Sequence, residues 1–182
     1  MASKLIFDQQ HLQITINRLC FQLIENHSNF IDTVIIGLQP RGILLSSRIL
    51  NRLSAILPDS NLLLGELDTS FHRDDFRRRE MIVPSATTMN FNIENKKVIL
   101  IDDVLYTGRT IRSGLDAIQA FGRPAKVELL VLINRKYSRH LPIAPDYIGK
   151  SIDTVVSDKI KVQWKETDGQ DGVWLLSNER TA

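Results

Sequence analysis

Asp102 and Asp103 stand side by side at the end of the apolar run VILI, and a loop of small and hydroxyl-bearing residues, VLYTGRT, follows at once. Successive strand residues point to opposite faces, but where the chain leaves a sheet both carboxylates can turn to one ligand. Ionised carboxylates accept hydrogen bonds and donate none. A pair of them suits a vicinal diol, such as the 2' and 3' hydroxyls of a ribose, or a hydrated divalent cation. The loop has the opposite character. The backbone N–H groups of residues 105–110, the hydroxyls of Thr107 and Thr110 and the start of the next helix converge on a point that favours a dianionic phosphate. Gly108 allows close approach without a Cβ. Diol acceptors and a phosphate cradle within nine residues describe a ribose 5-phosphate. Taken alone, an Asp-Asp pair is also an ordinary loop start, and TGRT an ordinary helix start. The competing phosphate motifs GxxxxGK followed by Ser or Thr, and GxGxxG, are absent.

The elements that must position these groups follow from periodicity. Leu12, Ile16, Leu19 and Leu23 recur at helical spacing within residues 8–27, with Asp8 as the expected N-cap. TVIIGL (33–38) reads as a buried strand that stops at QPRG, and Leu45, Ile49, Leu53 and Ile56 mark a helix ended by Pro58. Residues 61–71 have strand character, and residues 72–95 lose periodicity, which predicts a long loop or mobile arm. KVILIDDV is the next strand. Ile111, Leu115 and Ile118 mark the helix after it, and VELLVLINR (127–135) is a third buried strand. Strand and helix in alternation imply a parallel sheet with helices on both faces. KIKVQW and VWLL read as short strands of a C-terminal hairpin or hood, packed by Trp164 and Trp174. Ligands of such sheets collect beyond the carboxyl ends of the strands. LQPRG, DDVLYTGRT and NRKYS all fall there.

Composition narrows the class. With 43% hydrophobic and 24% charged residues and a formal charge of +2, the chain lacks the overall basic excess of a general nucleic-acid binder. The densest local basic run is RDDFRRRE, with Arg73, Arg77, Arg78 and Arg79, read as a solvated loop or an anion site. Cys20 is the single cysteine, so no intrachain disulfide forms. The first ten residues, MASKLIFDQQ, show no long apolar signal region, and no apolar run approaches the roughly 20 residues of a membrane helix. These features predict a cytoplasmic protein without a membrane partner. His11, His27, His72 and His140 have no metal-ligand spacing.

VILIDDVLYTGRT resembles the phosphoribosyl pyrophosphate (PRPP) signature of type I phosphoribosyltransferases. GELD and RDD within residues 65–75, GRP at 122–124, and LP with DYIGK within residues 141–150 narrow the resemblance to the bifunctional pyrimidine operon regulators with uracil phosphoribosyltransferase activity. It spans nearly the whole chain. It implies an α/β fold, a central mostly parallel sheet flanked by helices with a small hood, in a single domain over residues 1–182. The arm would run over about 72–95, and the hood over about 135–182 plus the N-terminal segment.

The resemblance also implies roles. Asp102 and Asp103 would hold the ribose hydroxyls, and the stretch Val104, Leu105, Tyr106, Thr107, Gly108, Arg109 and Thr110 the 5'-phosphate. Gln39, Pro40, Arg41 and Gly42 would form the pyrophosphate loop, with Arg41 its cation. Arg73, Asp74 and Asp75 would close over the substrate, so that Asp102, Asp103, Arg41 and Arg73 make up the catalytic set. Arg135 and Ile160 would flank the base. Mg²⁺ would be carried mainly by PRPP, near Asp102 and Asp103. The implied ligands are PRPP, uracil and UMP, with pyrimidine-operon mRNA as a macromolecular partner and a homodimer or homotetramer as the assembly. In such regulators mRNA meets the first helix and the segment after the third central strand. Here that helix has Arg18 as its one Lys or Arg, whereas NRKYSRH offers Arg135, Lys136 and Arg139. Asn134 stands where an acidic residue is usual, and Phe71 and His72 precede the Arg-Asp-Asp core. A nucleotide-sensing regulator without catalysis, and a phosphoribosyltransferase for a purine base, are the alternatives.

Overall fold

The computed structural model describes residues 2–70, 86–155 and 157–177. Its centre is a five-stranded parallel sheet, ordered β3-β2-β4-β5-β6, built from β2 (Thr33–Leu38), β3 (Leu63–Leu67), β4 (Lys97–Leu105), β5 (Lys126–Lys136) and β6 (Tyr147–Asp153). The apolar runs read as buried strands are buried on both faces. Ile35, Ile99, Ile101, Leu130 and Leu132 meet one core cluster, and Val34, Ile36, Val98, Leu100, Leu129 and Val131 the other. This alternation is the two-residue period of a strand.

The first cluster is capped by α1 (Gln9–His27) and α2 (Gly42–Ile56), whose Leu12, Ile16, Leu19 and Leu23, and Leu45, Ile49 and Leu53, are buried as their spacing predicts. Asp8 caps α1, its carboxylate accepting the His11 N–H at 2.7 Å. Cys20 is fully buried, and burial pushes its thiol up to about 12, so it packs as an apolar residue. The second cluster is covered by α3 (Arg109–Ile118) through Ile111, Ala117 and Ile118. From β2 the chain passes through α2 to β3 on one side, then crosses to β4, β5 and β6 on the other. The strand order therefore reverses between β2 and β4, and their carboxyl ends flank the crevice where such sheets bind ligands.

A separate three-stranded antiparallel sheet, ordered β1-β8-β7, joins β1 (Ala2–Phe7) to β8 (Gly172–Ser177) and β7 (Lys159–Gln163), with the short α4 (Lys165–Asp168) between the last two. This sheet stands where the hood is expected, N-terminal segment included, with one difference from the sequence reading. Residues 135–153 do not open it: they complete β5 and form β6, whose Tyr147 and Ile152 are buried against the main core. The N-terminal residues form a full strand. The expected irregular stretch 72–95 is also shorter at its far end, because Thr88 bridges Glu66 and Ile93 is fully buried, with Met89 and Phe91 packed nearby. Arg73, Asp74 and Asp75 lie outside the described residues.

Arg48 of α2 ties the hood down. It reaches Glu166 at 2.7 and 3.0 Å and Asp171 at 2.6 and 2.9 Å, and its guanidinium lies over the fully buried Trp164, 4.8 Å from the ring centroid. Arg48→Ala leaves two carboxylates without their cation and is expected to lower unfolding free energy by about 3 kcal/mol. Urea titration of both proteins measures that difference.

Candidate active site

The crevice above β2 and β4 has a volume of about 490 Å³ and is lined by Gln39, Pro40 and Arg41, by Asp102 and Asp103, and by the run from Val104 to Ile111. Two of the three segments singled out in the sequence thus meet in one space. By strand alternation Asp103 falls on the α2 face and Asp102 on the α3 face. Both carboxylates are largely buried. Asp102 Oδ1 accepts the Asp103 N–H at 2.9 Å, and Arg41 Nε stands 3.8 Å from Asp103 Oδ2. Burial pushes Asp103 up to about 6, with Arg41 pulling the other way.

Beyond Asp103 the chain turns at Gly108, whose φ of +89° is a left-handed value that side chains rarely adopt. Gly108 is the N-cap of α3 and offers no side-chain cap bond to the first turn. The first N–H groups of α3 therefore sit at the crevice rim, where an anion meets them and the positive end of the helix dipole. The neighbouring loop Gln39–Gly42 is fixed from both sides. The Gln39 N–H bonds Leu67 O at 2.9 Å, and its side-chain amide bonds Ala86 O at 2.7 Å. Gly42 presses directly on β4.

One residue of this site carries a role that the sequence reading did not assign. Arg139, grouped there with surface cations, turns inward behind the phosphate loop. Its guanidinium donates to the carbonyls of Leu105, Tyr106, Arg135 and Ile143 and to Asn134 Oδ1. The His140 N–H adds a bond to Thr107 O at 3.0 Å. These bonds hold the loop carbonyls from behind, on the side away from the crevice, while the Arg109 N–H donates to Thr107 Oγ1 at 3.4 Å. Arg139→Ala is expected to weaken binding of a ribose 5-phosphate group about tenfold through loop misplacement, read by isothermal titration.

Arg135 and Ile160, the expected base-side residues, do not line the crevice. The buried Arg135 guanidinium lies over the Tyr106 ring, 3.9 Å from its centroid, and donates to Thr154 Oγ1 and Val155 O. Ile160 is half-buried on β7 against the first core cluster. Arg18 is also engaged, with the carbonyls of Ile148 and Gly149 at 3.0 and 2.6 Å. Lys136 pairs with Asp153 at 3.3 Å. Sequence reasoning further missed Asp168 and Asp171, whose acidic spacing in KETDGQDG was a signal without a visible partner until the fold supplied Arg41 and Arg48.

An acidic pair, a glycine-turned helix start and a cation-bearing second loop at the switch point of a parallel sheet make up the arrangement of a type I phosphoribosyltransferase. The family model for the phosphoribosyl transferase domain matches residues 3–167. Solved structures agree in fold: a hypoxanthine phosphoribosyltransferase of Staphylococcus aureus has a TM-score of 0.69 at 20% identity, covering 94% of this chain and 90% of that one. The hypoxanthine phosphoribosyltransferase of Trypanosoma cruzi has a TM-score of 0.72 at 13% identity, covering 97% of each. Sequence relatives are nearer. A protein of Streptococcus suis named bifunctional protein PyrR is 43% identical over 97% of this chain and 98% of its own length. One of the same name from Elusimicrobium minutum is 40% identical over 95% and 96%. The chain belongs to the bifunctional PyrR proteins of the phosphoribosyltransferase family.

Proposed function

We propose that the chain transfers the phosphoribosyl group of PRPP to uracil, giving UMP and pyrophosphate, and that UMP at the same site controls its regulation of pyrimidine biosynthesis genes through mRNA. The observation that carries the catalytic part is the meeting of Asp102, Asp103, the Gly108 loop and Arg41 in one crevice. In this reading Asp102 and Asp103 accept from the ribose hydroxyls, residues 104–110 hold the 5'-phosphate, and Gln39, Pro40, Arg41 and Gly42 receive the pyrophosphate. The bond from C1' to the pyrophosphate oxygen breaks through an oxocarbenium-like centre, and a bond to the uracil nitrogen forms as its proton is lost to solvent. A uracil already deprotonated at that nitrogen needs no protein base, so the chain's part is orientation and stabilisation of the departing anion. In this reading Arg73, Asp74 and Asp75 close the site against water, while Arg135, stacked on Tyr106, and Ile160, packed in the hood, support the crevice without touching the base.

Mg²⁺ fits the donor chemistry, because Asp102 and Asp103 are hard oxygen ligands. Among the described residues no group of three His, Cys, Asp or Glu is placed to hold a metal; in this reading the ion is carried mainly by PRPP. When bound, it neutralises pyrophosphate charge. No helix of the described residues is long and apolar enough to cross a membrane. The reading places the protein in the cytoplasm as a homodimer or homotetramer, as the family implies.

Steady-state assays with uracil, hypoxanthine, guanine and orotate test the catalytic part. Turnover with uracil is expected, and turnover of a purine with none of uracil would sink the pyrimidine assignment. For the regulatory part, RNA affinity is expected to change with UMP and to fall only shallowly with salt, because Arg18, Arg135 and Arg139 are bound internally. An affinity indifferent to UMP argues against sensing.

A further inference from the structure

Arg41 is gripped from outside the crevice. Its Nη2 donates to the Val162 carbonyl at 2.9 Å and to Asp168 Oδ2 at 3.2 Å. Among the described residues, its Nε and Nη1 carry no hydrogen bond, and Nε faces Asp103 Oδ2 at 3.8 Å. Asp168 cannot swing freely, because the same Oδ2 accepts the Trp164 N–H at 3.0 Å and the Thr167 hydroxyl at 2.9 Å. The helical turn that carries it is fastened by Arg48, two turns along α2 from Arg41. The hood and the pyrophosphate loop are therefore one braced unit. A guanidinium left to itself has many rotamers to lose on binding, whereas one held by a single nitrogen keeps its remaining N–H edge set in advance.

We propose that Asp168 is a positioning residue for pyrophosphate: by holding Arg41 Nη2 it sets the free edge of the guanidinium toward Asp103 and the crevice. The inference rests on Arg41 as the cation of the pyrophosphate loop and adds the residue that orients it. It has a sign that simple charge does not share. Removing a carboxylate near a bound polyanion should tighten binding by electrostatics alone. Removing a positioning residue weakens it.

Isothermal titration of Mg·PRPP and of UMP into the full chain distinguishes the two, because UMP has the ribose phosphate without the pyrophosphate. Asp168→Ala is expected to weaken Mg·PRPP about tenfold and leave UMP unchanged, with Asp168→Asn intermediate because it keeps an acceptor. In an Arg41→Ala background Asp168→Ala is expected to add nothing. Glu166→Gln loosens the hood without touching Arg41, and is expected to lower Tm while keeping the ratio of PRPP to UMP affinity. PRPP binding that is unchanged or tighter in Asp168→Ala overturns the proposal, as does an equal loss for UMP or the same selective loss in Glu166→Gln. Wild-type protein that binds UMP but not PRPP overturns it too, and wild-type protein that binds neither removes the ribose-phosphate reading and the inference together.

Discussion

Asp103→Asn is expected to lower kcat/KM about a hundredfold, the scale of losing charge-assisted hydrogen bonds of roughly 1.5–3 kcal/mol. Asn keeps the shape but offers one acceptor oxygen and an amide that donates. Stability should move the other way. The folded pKa of about 6 lies above the ordinary 3.8, so folding favours the protonated form. That contribution is complete below 3.8 and is lost as pH rises through about 6. At pH above this window the wild-type protein holds a costly buried charge that the variant lacks, and the variant's Tm should be equal or higher. Ligand binding supplies a second readout. Wild-type UMP affinity should fall more steeply than the Asn variant's as pH drops below about 6, because a protonated carboxyl no longer accepts at both oxygens, on top of the loss of phosphate charge that both proteins share. An unchanged kcat/KM, or an identical pH profile, removes Asp103 from the diol role.

Gly42→Ala should be the most damaging small substitution. A Cβ there would lie inside van der Waals contact of the Ile101 carbonyl oxygen and 3.1 Å from Asp102 Cα. Both obstacles are backbone of the central strand, so no side chain can move aside. The start of α2 must lift from β4, which separates residues 39–42 from Asp102 and Asp103. Stability is expected to fall by about 1–3 kcal/mol, as for other overpacked interiors. Activity should fall more than a hundredfold, because displacement of about 1 Å at a reacting centre already costs on that order. Urea unfolding and initial rates under saturating uracil measure the two effects, and activity within a few-fold of wild type would contradict the close packing of these loops.

The central strands and three long helices were legible because Leu12, Ile35, Leu45, Ile99 and Ile111 repeat with the periods of the structures they form. Loop 102–110 was legible for a chemical reason: its acceptors, donors and glycine are contiguous in the chain. The sixth strand was hidden by Gly149, a residue that weakens strand propensity. The fold explains it, since a Cβ there would press into the Leu132 carbonyl and lie 3.1 Å from Thr15 Cγ2 of α1. The bonds from Arg41 to Asp168 and from Arg48 to Asp171 were not legible, because they join residues more than a hundred positions apart. Arg139 misled for the opposite reason: a basic cluster reads as surface charge until its guanidinium is found among backbone carbonyls.

In the hood, Ala2 pairs with Ser177 and Phe7 with Val173, while β8 is also the neighbour of β7. The middle strand of that sheet is thus made after both of its neighbours, and the first strand waits for it while every strand of the central sheet is synthesised. Contacts so distant in sequence form late, after the central sheet has its local partners. The nascent chain should therefore acquire a collapsed sheet and a formed 102–110 loop before Val162 and Asp168 can seat Arg41. Ligand-dependent protection of stalled chains should then first be seen once β8 clears the exit tunnel.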